Sequence, residues 1–443
     1  MTLKETKAIR SWGGVVREPH FVAAPARRDG VGDVFDAAAG MDKTLLAHGL
    51  GRSYGDSCLS PGNVILETRG LDRFIAFDRD TGILRAEAGV SLGEIMRVTV
   101  PYGFFPHTTP GTRFVTLGGA VANDVHGKNH HVAGSFGENV RAFGLLRSDR
   151  GEVTVTPDSE PELFRATVGG LGMTGIITWV EIQLVRIASS NIEQEIFAIK
   201  SLDHFFEVME ENTPKFEHTV AWVDCTARKD ELGRGVFTGG NWSSDGVLEP
   251  HRTGMLNAPF TAPGFALNPL TLKTFNSLYR WRQLSKAGRS KVPYTSHFHV
   301  LDAIKNWNRL YGKRGFFQYQ SVIPFSTAKE ATREMLTLIA ESGQGSMLAV
   351  LKTLGPIEGR GWLSFPREGV TLALDFQNKG QKTLQLMNNL DKIVSAAGGR
   401  LYPAKDGRIS ADMFQSGYPD WQRVETLRDP AISSSFWQRV SQS

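Results

Sequence analysis

Three glycine clusters within the first 180 residues constrain this chain more than any other feature. They are Ala47-His48-Gly49-Leu50-Gly51-Arg52-Ser53-Tyr54-Gly55-Asp56-Ser57, the run from Pro110-Gly111-Thr112 through Thr116-Leu117-Gly118-Gly119 to Asn123-Asp124-Val125-His126-Gly127-Lys128, and Val168-Gly169-Gly170-Leu171-Gly172-Met173-Thr174-Gly175. Residues without a Cβ let backbone N–H groups turn inward around a phosphate, or let a ligand lie against main chain. The first cluster has the spacing G-x-G-x-x-x-G, one residue off the dinucleotide fingerprint, and it lacks the helix and acidic residue that should follow. Taken singly, each cluster reads as turn chemistry. Three in one region point to a large flat ligand embedded against backbone.

The rest of the chain narrows the class. With 443 residues, 41% of them hydrophobic and 22% charged, an ordinary globular protein of two domains is expected. A net charge of +4, from 50 Lys and Arg against 46 Asp and Glu, is too small and dispersed for a nucleic-acid partner. It leaves room for a local basic patch facing phosphate or an anionic membrane. Two cysteines, Cys58 and Cys225, exclude a disulfide framework. The N-terminus has no apolar core, so no secretory signal is expected, and no apolar stretch reaches the roughly 18 residues of a spanning helix. A soluble or peripheral cytoplasmic protein follows. His126, His130 and His131 have no carboxylate between them, and Gly127 works against a helix that would align them, so no metal site is expected.

Short strands dominate to about residue 188: Val64–Leu66, Gly82–Gly89 and Gly175–Val185, the last apolar and then alternating. Ser91, with Glu94 three residues on, predicts a capped helix start, and Thr116 is a second N-cap candidate. Regular βαβ spacing is missing, which favours an α+β fold. Beyond residue 190, helical patterns at Leu202–Met209 and Ala328–Glu341 alternate with strand patterns at Gly315–Pro324 and Val370–Phe376. Residues 228–285 read as one long Gly/Pro/Asn-rich loop carrying Met255, Leu256, Phe260, Phe265, Leu267, Leu270, Leu272 and Phe275. It is either a surface loop packed on its own domain or a greasy flap that meets a lipid tail or membrane.

The order GLGRSYGD, PGTRFVTLGGAVANDVHGKNHH, ELFRATVGGLGMTGII resembles the FAD-binding domain of vanillyl-alcohol-oxidase-type (PCMH-type) flavoproteins. Phe317–Gln320, Leu351–Pro356, Leu363–Pro366 and Gly399–Asp406 extend the resemblance to the family of decaprenylphosphoryl-β-D-ribose 2-oxidases, the oxidase components of an epimerase. The resemblance implies a FAD-binding domain built from both chain ends, 1–189 and 399–443, with a substrate domain of antiparallel sheet plus helices inserted at 190–398. Ala47–Ser57 would wrap the pyrophosphate. Gly111, Thr112, Thr116–Gly119 and Asn123–His126 would line the flavin, Ile177 would add main-chain contacts, and Tyr402 would close the site. Many relatives attach FAD to a histidine where this chain has Arg52, so a non-covalent flavin is implied.

The implied reaction oxidises the 2-hydroxyl of a polyprenylphosphoryl-β-D-ribofuranose to a 2-keto sugar. A short-chain dehydrogenase using NAD(P)H would then complete the epimerisation to the arabinose form. Lys405 is the first candidate for chemistry: desolvated it relays a proton, charged it holds the sugar hydroxyl. Tyr54 and His126 would flank it. Gln318, Gln320 and Lys352 are candidates for sugar and phosphate, because alternate strand positions share a face. Lys128 is either a further phosphate ligand or a surface charge. Thr371 and Ala373 would line the substrate pocket where well-known members carry asparagine and cysteine. An aldonolactone or alditol oxidase and a non-catalytic flavin-binding subunit are the alternatives. The greasy flap would place the protein peripherally at the inner membrane.

Overall fold

The computed structural model describes residues 3–250 and 256–442. Met255, assigned above to the flap, lies outside them. The fold is α+β, as the missing βαβ rhythm predicts. A first sheet holds β1 (Lys4–Thr6), β2 (His20–Ala23), β3 (Leu45–His48) and β4 (Val64–Glu67), in the order β1-β2-β4-β3 with β4 parallel to both neighbours.

A second, antiparallel sheet contains β5 (Phe74–Phe77), β6 (Ile83–Glu87), β7 (Phe104–Pro106), β8 (Val140–Arg147), β9 (Gly151–Val155) and β10 (Ile176–Arg186). Its centre is β10, whose first five residues are buried and whose later ones alternate. Ser91 and Glu94 form the expected capping box on helix Leu92–Thr99, worth about 1 kcal/mol.

The third sheet is antiparallel throughout, in the order β15-β11-β13-β12-β18-β19-β17-β20. Its strands are β11 (Asn191–Ile199), β12 (His218–Val223), β13 (Gly235–Trp242), β15 (Gly288–Pro293), β17 (Phe316–Ile323), β18 (Ala349–Leu354), β19 (Gly369–Gln377) and β20 (Arg400–Leu401). A short parallel pair, β14 (Leu256–Asn257) with β16 (Ile304–Lys305), lies apart. The period of two in β17–β19 divides this sheet chemically. Tyr319, Leu351, Leu372, Leu374 and Phe376 bury one face against helices Leu202–Asn212, Phe325–Ser342 and Gln381–Ala396. The opposite face carries Gln318, Gln320, Lys352, Thr371, Ala373 and Asp375.

Residues 228–285 correct the expectation of one structureless loop. They contain β13 and a sixteen-residue helix, Pro269–Leu284. The glycines misled: Gly239 and Gly240 are strand residues beside the rings of Phe216 and His297, where a Cβ would not fit. Asn268 caps the helix with Pro269 in the first turn. Leu272, placed among the exposed apolar residues, is buried.

The C-terminal segment returns to the first sheet. Leu45 N donates to Ala431 O at 2.8 Å, and Arg439 Nη2 meets Asp56 Oδ1 at 2.7 Å. Tyr54 N donates to Ala404 O at 2.9 Å, so the first glycine loop and residues 402–407 cross in direct backbone contact. Gly55 makes the crossing possible, because a Cβ there would collide with the Asp406 carbonyl. Gly55→Ala is therefore expected to destabilise the fold by more than about 3 kcal/mol, read as loss of the cooperative thermal transition or a large drop in Tm.

Candidate active site

The loop after β3 presents a row of free donors. The N–H groups of Leu50, Gly51, Arg52, Ser53 and Gly55 have no acceptor among the described residues. Gly51 has φ +60°, which bends successive amides the same way, and Gly49 sits so close to the Thr116 side chain that a Cβ would collide. Such a nest of amides suits a diphosphate. The Arg52 side chain turns away from these amides: its guanidinium donates to Leu50 O and lies 4.2 Å from the Trp12 ring centroid, and the Trp12 backbone N–H donates to Ser53 O at 2.8 Å. Trp12 thus holds the loop from outside. Ala47 lies in β3 just before buried His48, which ends the strand, is kept neutral by burial and has its Nδ1 3.0 Å from Cys58 O. Asp56 is anchored to Arg439, and the buried Ser57 Oγ has no partner among the described residues.

The second cluster supplies shape more than free donors. Thr116 Oγ1 accepts from Gly119 N, while Leu117 N and Gly118 N donate to Val90 O and Ala88 O. These amides of helix Leu117–Ala122 are therefore satisfied inside the protein. Gly111 is exposed, and Thr112 donates to Asp302 at 2.6 Å. Asn123 bonds back to Gly119 O, Val125 packs in the core, and Ile177 lies in β10 beside a bulge. Asp124 is spoken for: Gly137 N and the Ser135 and Ser364 hydroxyls donate to its carboxylate. It pins the chain before His126 and leaves no free oxygen obviously aimed at a ligand.

His126 is where the two walls meet. Gln320 Nε2 lies 3.1 Å from His126 Nε2, and the ring sits against Phe365 and Tyr402. Tyr402 donates to Asn123 O at 3.0 Å. Burial holds the His126 pKa well below its ordinary value, helped by Lys352, His130 and Lys405. A neutral ring that accepts at Nε2 carries its proton on Nδ1, and that buried donor has no partner among the described residues.

Across the polar face of the third sheet, Gln318 donates to Asp375 at 2.8 Å, Gln320 to Thr371 at 3.3 Å and Lys352 to Gly127 O at 2.9 Å. Ala373 keeps a small opening between buried neighbours. Lys405 Nζ lies 4.1 Å from the Tyr54 ring centroid. Burial draws Lys405 down to about 8 and Lys352 to about 7, the latter helped by the positive charges of Lys128 and Lys405. Lys128 is not a surface charge: its ammonium donates to His297 O inside the protein, and burial brings it to about 8. Three cations with weakened hold on their protons thus stand near one another.

Asp375 was overlooked in the sequence, although its even spacing, two residues after Ala373 and four after Thr371, gave the signal. It is fully buried, accepts from Gln318 and from Tyr311 Oη at 3.2 Å, and is pushed up to about 7 by desolvation. Trp12 and Tyr311 gave no such signal, because their roles arise from contacts distant in sequence.

A family model described as an FAD binding domain matches residues 19–157. The chain is 34% identical to decaprenylphosphoryl-beta-D-ribose oxidase of Mycolicibacterium smegmatis, with 96% of this chain and 95% of that protein covered. It is also 25% identical to D-arabinono-1,4-lactone oxidase of Eremothecium gossypii and 28% to cytokinin dehydrogenase 8 of indica rice, over 52% and 40% of this chain and 43% and 36% of those proteins. The free amides of the first loop and the unpartnered His126 Nδ1 fit the FAD that these relationships support. With Arg52 at the loop, heat denaturation is expected to release all flavin into the supernatant and leave a colourless pellet, followed by absorbance.

Proposed function

The chain belongs to the family of decaprenylphosphoryl-β-D-ribose oxidase, and we propose that it oxidises the 2-hydroxyl of a polyprenylphosphoryl-β-D-ribofuranose to the 2-keto sugar. It is an FAD-dependent oxidoreductase. We assign residues 1–189 and 399–443 to the FAD-binding domain and 190–398 to the substrate domain. The amides of Leu50–Ser53 and Gly55 would hold the diphosphate, and His126 Nδ1 would donate to the flavin or the sugar. FAD, when bound, accepts a hydride equivalent from the carbinol carbon.

The observation that carries this reading is the convergence of Lys405, Lys352 and Lys128 on a face where Asp375 is the counter-charge. Buried ammonium groups are costly unless a ligand neutralises them, and a phosphorylated sugar does so. Lys352 and Lys128 hold the phosphate, while Gln318 and Gln320 orient sugar hydroxyls. With a pKa near 8, Lys405 is partly neutral near pH 7, and the neutral amine accepts the proton that leaves the reacting hydroxyl to become an ammonium. A neutral lactone or alditol gives three ammonium groups little to do, and the lactone oxidases match only about half the chain. The ketone is re-reduced by a separate short-chain dehydrogenase using NAD(P)H. No helix among the described residues is long and apolar enough to cross a membrane. We place the protein in the cytoplasm, peripheral at the inner membrane.

Anaerobic titration with farnesylphosphoryl-β-D-ribofuranose is expected to bleach the flavin, while soluble aldonolactones and alditols leave it yellow. Bleaching by the soluble sugars instead would sink the proposal. Lys405→Met should keep its colour but slow bleaching by at least about 100-fold, whereas an unchanged rate would remove Lys405 from the chemistry.

The sign of the pH dependence follows from the same groups. Raising pH from 7 to 9 discharges Lys352 first and then Lys128 and Lys405, while Asp375 gains its charge near 7. KM for the phosphorylated substrate is therefore expected to rise severalfold over that interval in steady-state assays, with a smaller rise in Lys352→Met.

A further inference from the structure

We infer that the outward face of helix Pro269–Leu284, with the segment before it, docks on an anionic lipid bilayer and presents the mouth of the cleft to lipid-held substrate. The inference rests on the lipid-linked reading above and adds the surface that reaches the lipid.

The apolar part comes first. Nine of the sixteen exposed large apolar side chains among the described residues lie between Leu256 and Ile304. Phe260, Phe265, Leu270 and Trp281 are 71%, 79%, 74% and 68% exposed. On the helix, Leu272 and Asn276 face inward, while Leu270, Thr274, Leu278 and Trp281 recur at spacings of four, four and three. That makes an outward stripe one side chain wide, on the face opposite the core.

Charge selects the occupant. Every one of the 46 Asp and Glu residues lies outside 250–301, a stretch that contains seven Lys and Arg. Lys273 and Arg282 lie on the two sides of the apolar stripe, with Lys286 just beyond the helix, and none of the three has an ion pair among the described residues. Apolar residues flanked by unpaired cations, with an exposed tryptophan near the helix end, match the interface of an anionic bilayer.

The surface is continuous with the cleft. Leu267 packs on the cluster of Trp307, Tyr311 and Phe316, against which Tyr54 also packs. Asn276 donates to Ser346 O at 3.3 Å, and the Ser346 hydroxyl accepts from Asp375 N at 3.1 Å. Gln377, at the end of β19, donates to Gly264 O at 3.0 Å. The same segment is thus both outer wall of the site and docking face. A lipid phosphate held between the lysines could leave its tail in the membrane.

The test is vesicle co-sedimentation of the flavin-loaded protein without substrate. Vesicles containing phosphatidylglycerol should pull it down, phosphatidylcholine vesicles should not, and raised salt should weaken binding. The double substitution Leu278→Glu with Trp281→Glu should lower binding by about tenfold or more. Flavin content, Tm and the bleaching rate with dispersed farnesylphosphoryl-ribofuranose should stay unchanged. Wild-type protein that remains in the supernatant, or a double variant that sediments like wild type, overturns the inference. So does a wild-type dimer in gel filtration that the double substitution splits, since the stripe would then be covered by a second copy. Sedimentation as expected with no bleaching by the lipid-linked ribose would instead overturn the substrate assignment and leave the docking face standing.

Discussion

A 2.9 Å hydrogen bond from Tyr54 N to Ala404 O ties the loop after β3 to the segment after β20, 350 residues later. Around it the two backbones pass so closely that Gly55 admits no side chain. Arg439 reaches both Asp56 and Asp406 and closes the crossing from below. Everything distinctive about the site is stacked on this junction. It sets Lys405 beside the Tyr54 ring, and it brings Tyr402 against His126. It also holds the third sheet next to the row of free amides. A shift there would separate the row of free amides from the polar face of the third sheet.

Electrostatics then follow from enclosure. Lysines on an open strand would keep ordinary pKa values and be screened by water. Enclosed between the third sheet and the His126 segment, the same lysines lose solvation and repel one another, and the carboxyl of Asp375 is pressed toward neutrality. Lys352 and Lys128 keep one backbone carbonyl each as acceptor, at Gly127 and His297. Hydrogen bonds among Gln318, Tyr311 and Asp375, and between Gln320 and Thr371, fix these side-chain directions within the protein.

The region 256–300 uses an opposite strategy. Its helix is fastened to the protein by a narrow inner face, Leu272 and Asn276, and leaves an unusually apolar outer face in water. Monomeric surfaces rarely concentrate large apolar side chains this way without a partner. The complete lack of acidic residues across the stretch removes the charges that a bilayer of anionic lipids would repel.

Much of this was legible in the sequence, wherever the information is local. The capping box at Ser91 and Glu94, the alternation in β10 and the strand patterns at β17 and β19 depend on neighbours a few residues away, and each forms as read. The first glycine loop forms a row of amides without acceptors among the described residues, whereas those of Leu117 and Gly118 are satisfied inside the protein. Where glycine served instead to let rings pack on a strand, at Gly239 and Gly240, local reading mistook strand for loop. The tertiary structure alone decided which polar residues work together. Lys128 turned inward, Asp124 became an anchor, and Asp375 emerged as a buried carboxyl on the polar face of the third sheet. Strand periodicity can say that Thr371, Ala373 and Asp375 share a face. It cannot say that this face is covered by a histidine from residue 126 and a lysine from residue 405. Desolvation and Coulomb interaction depend on distance in space, and the chain's own order carries that distance only after it has folded.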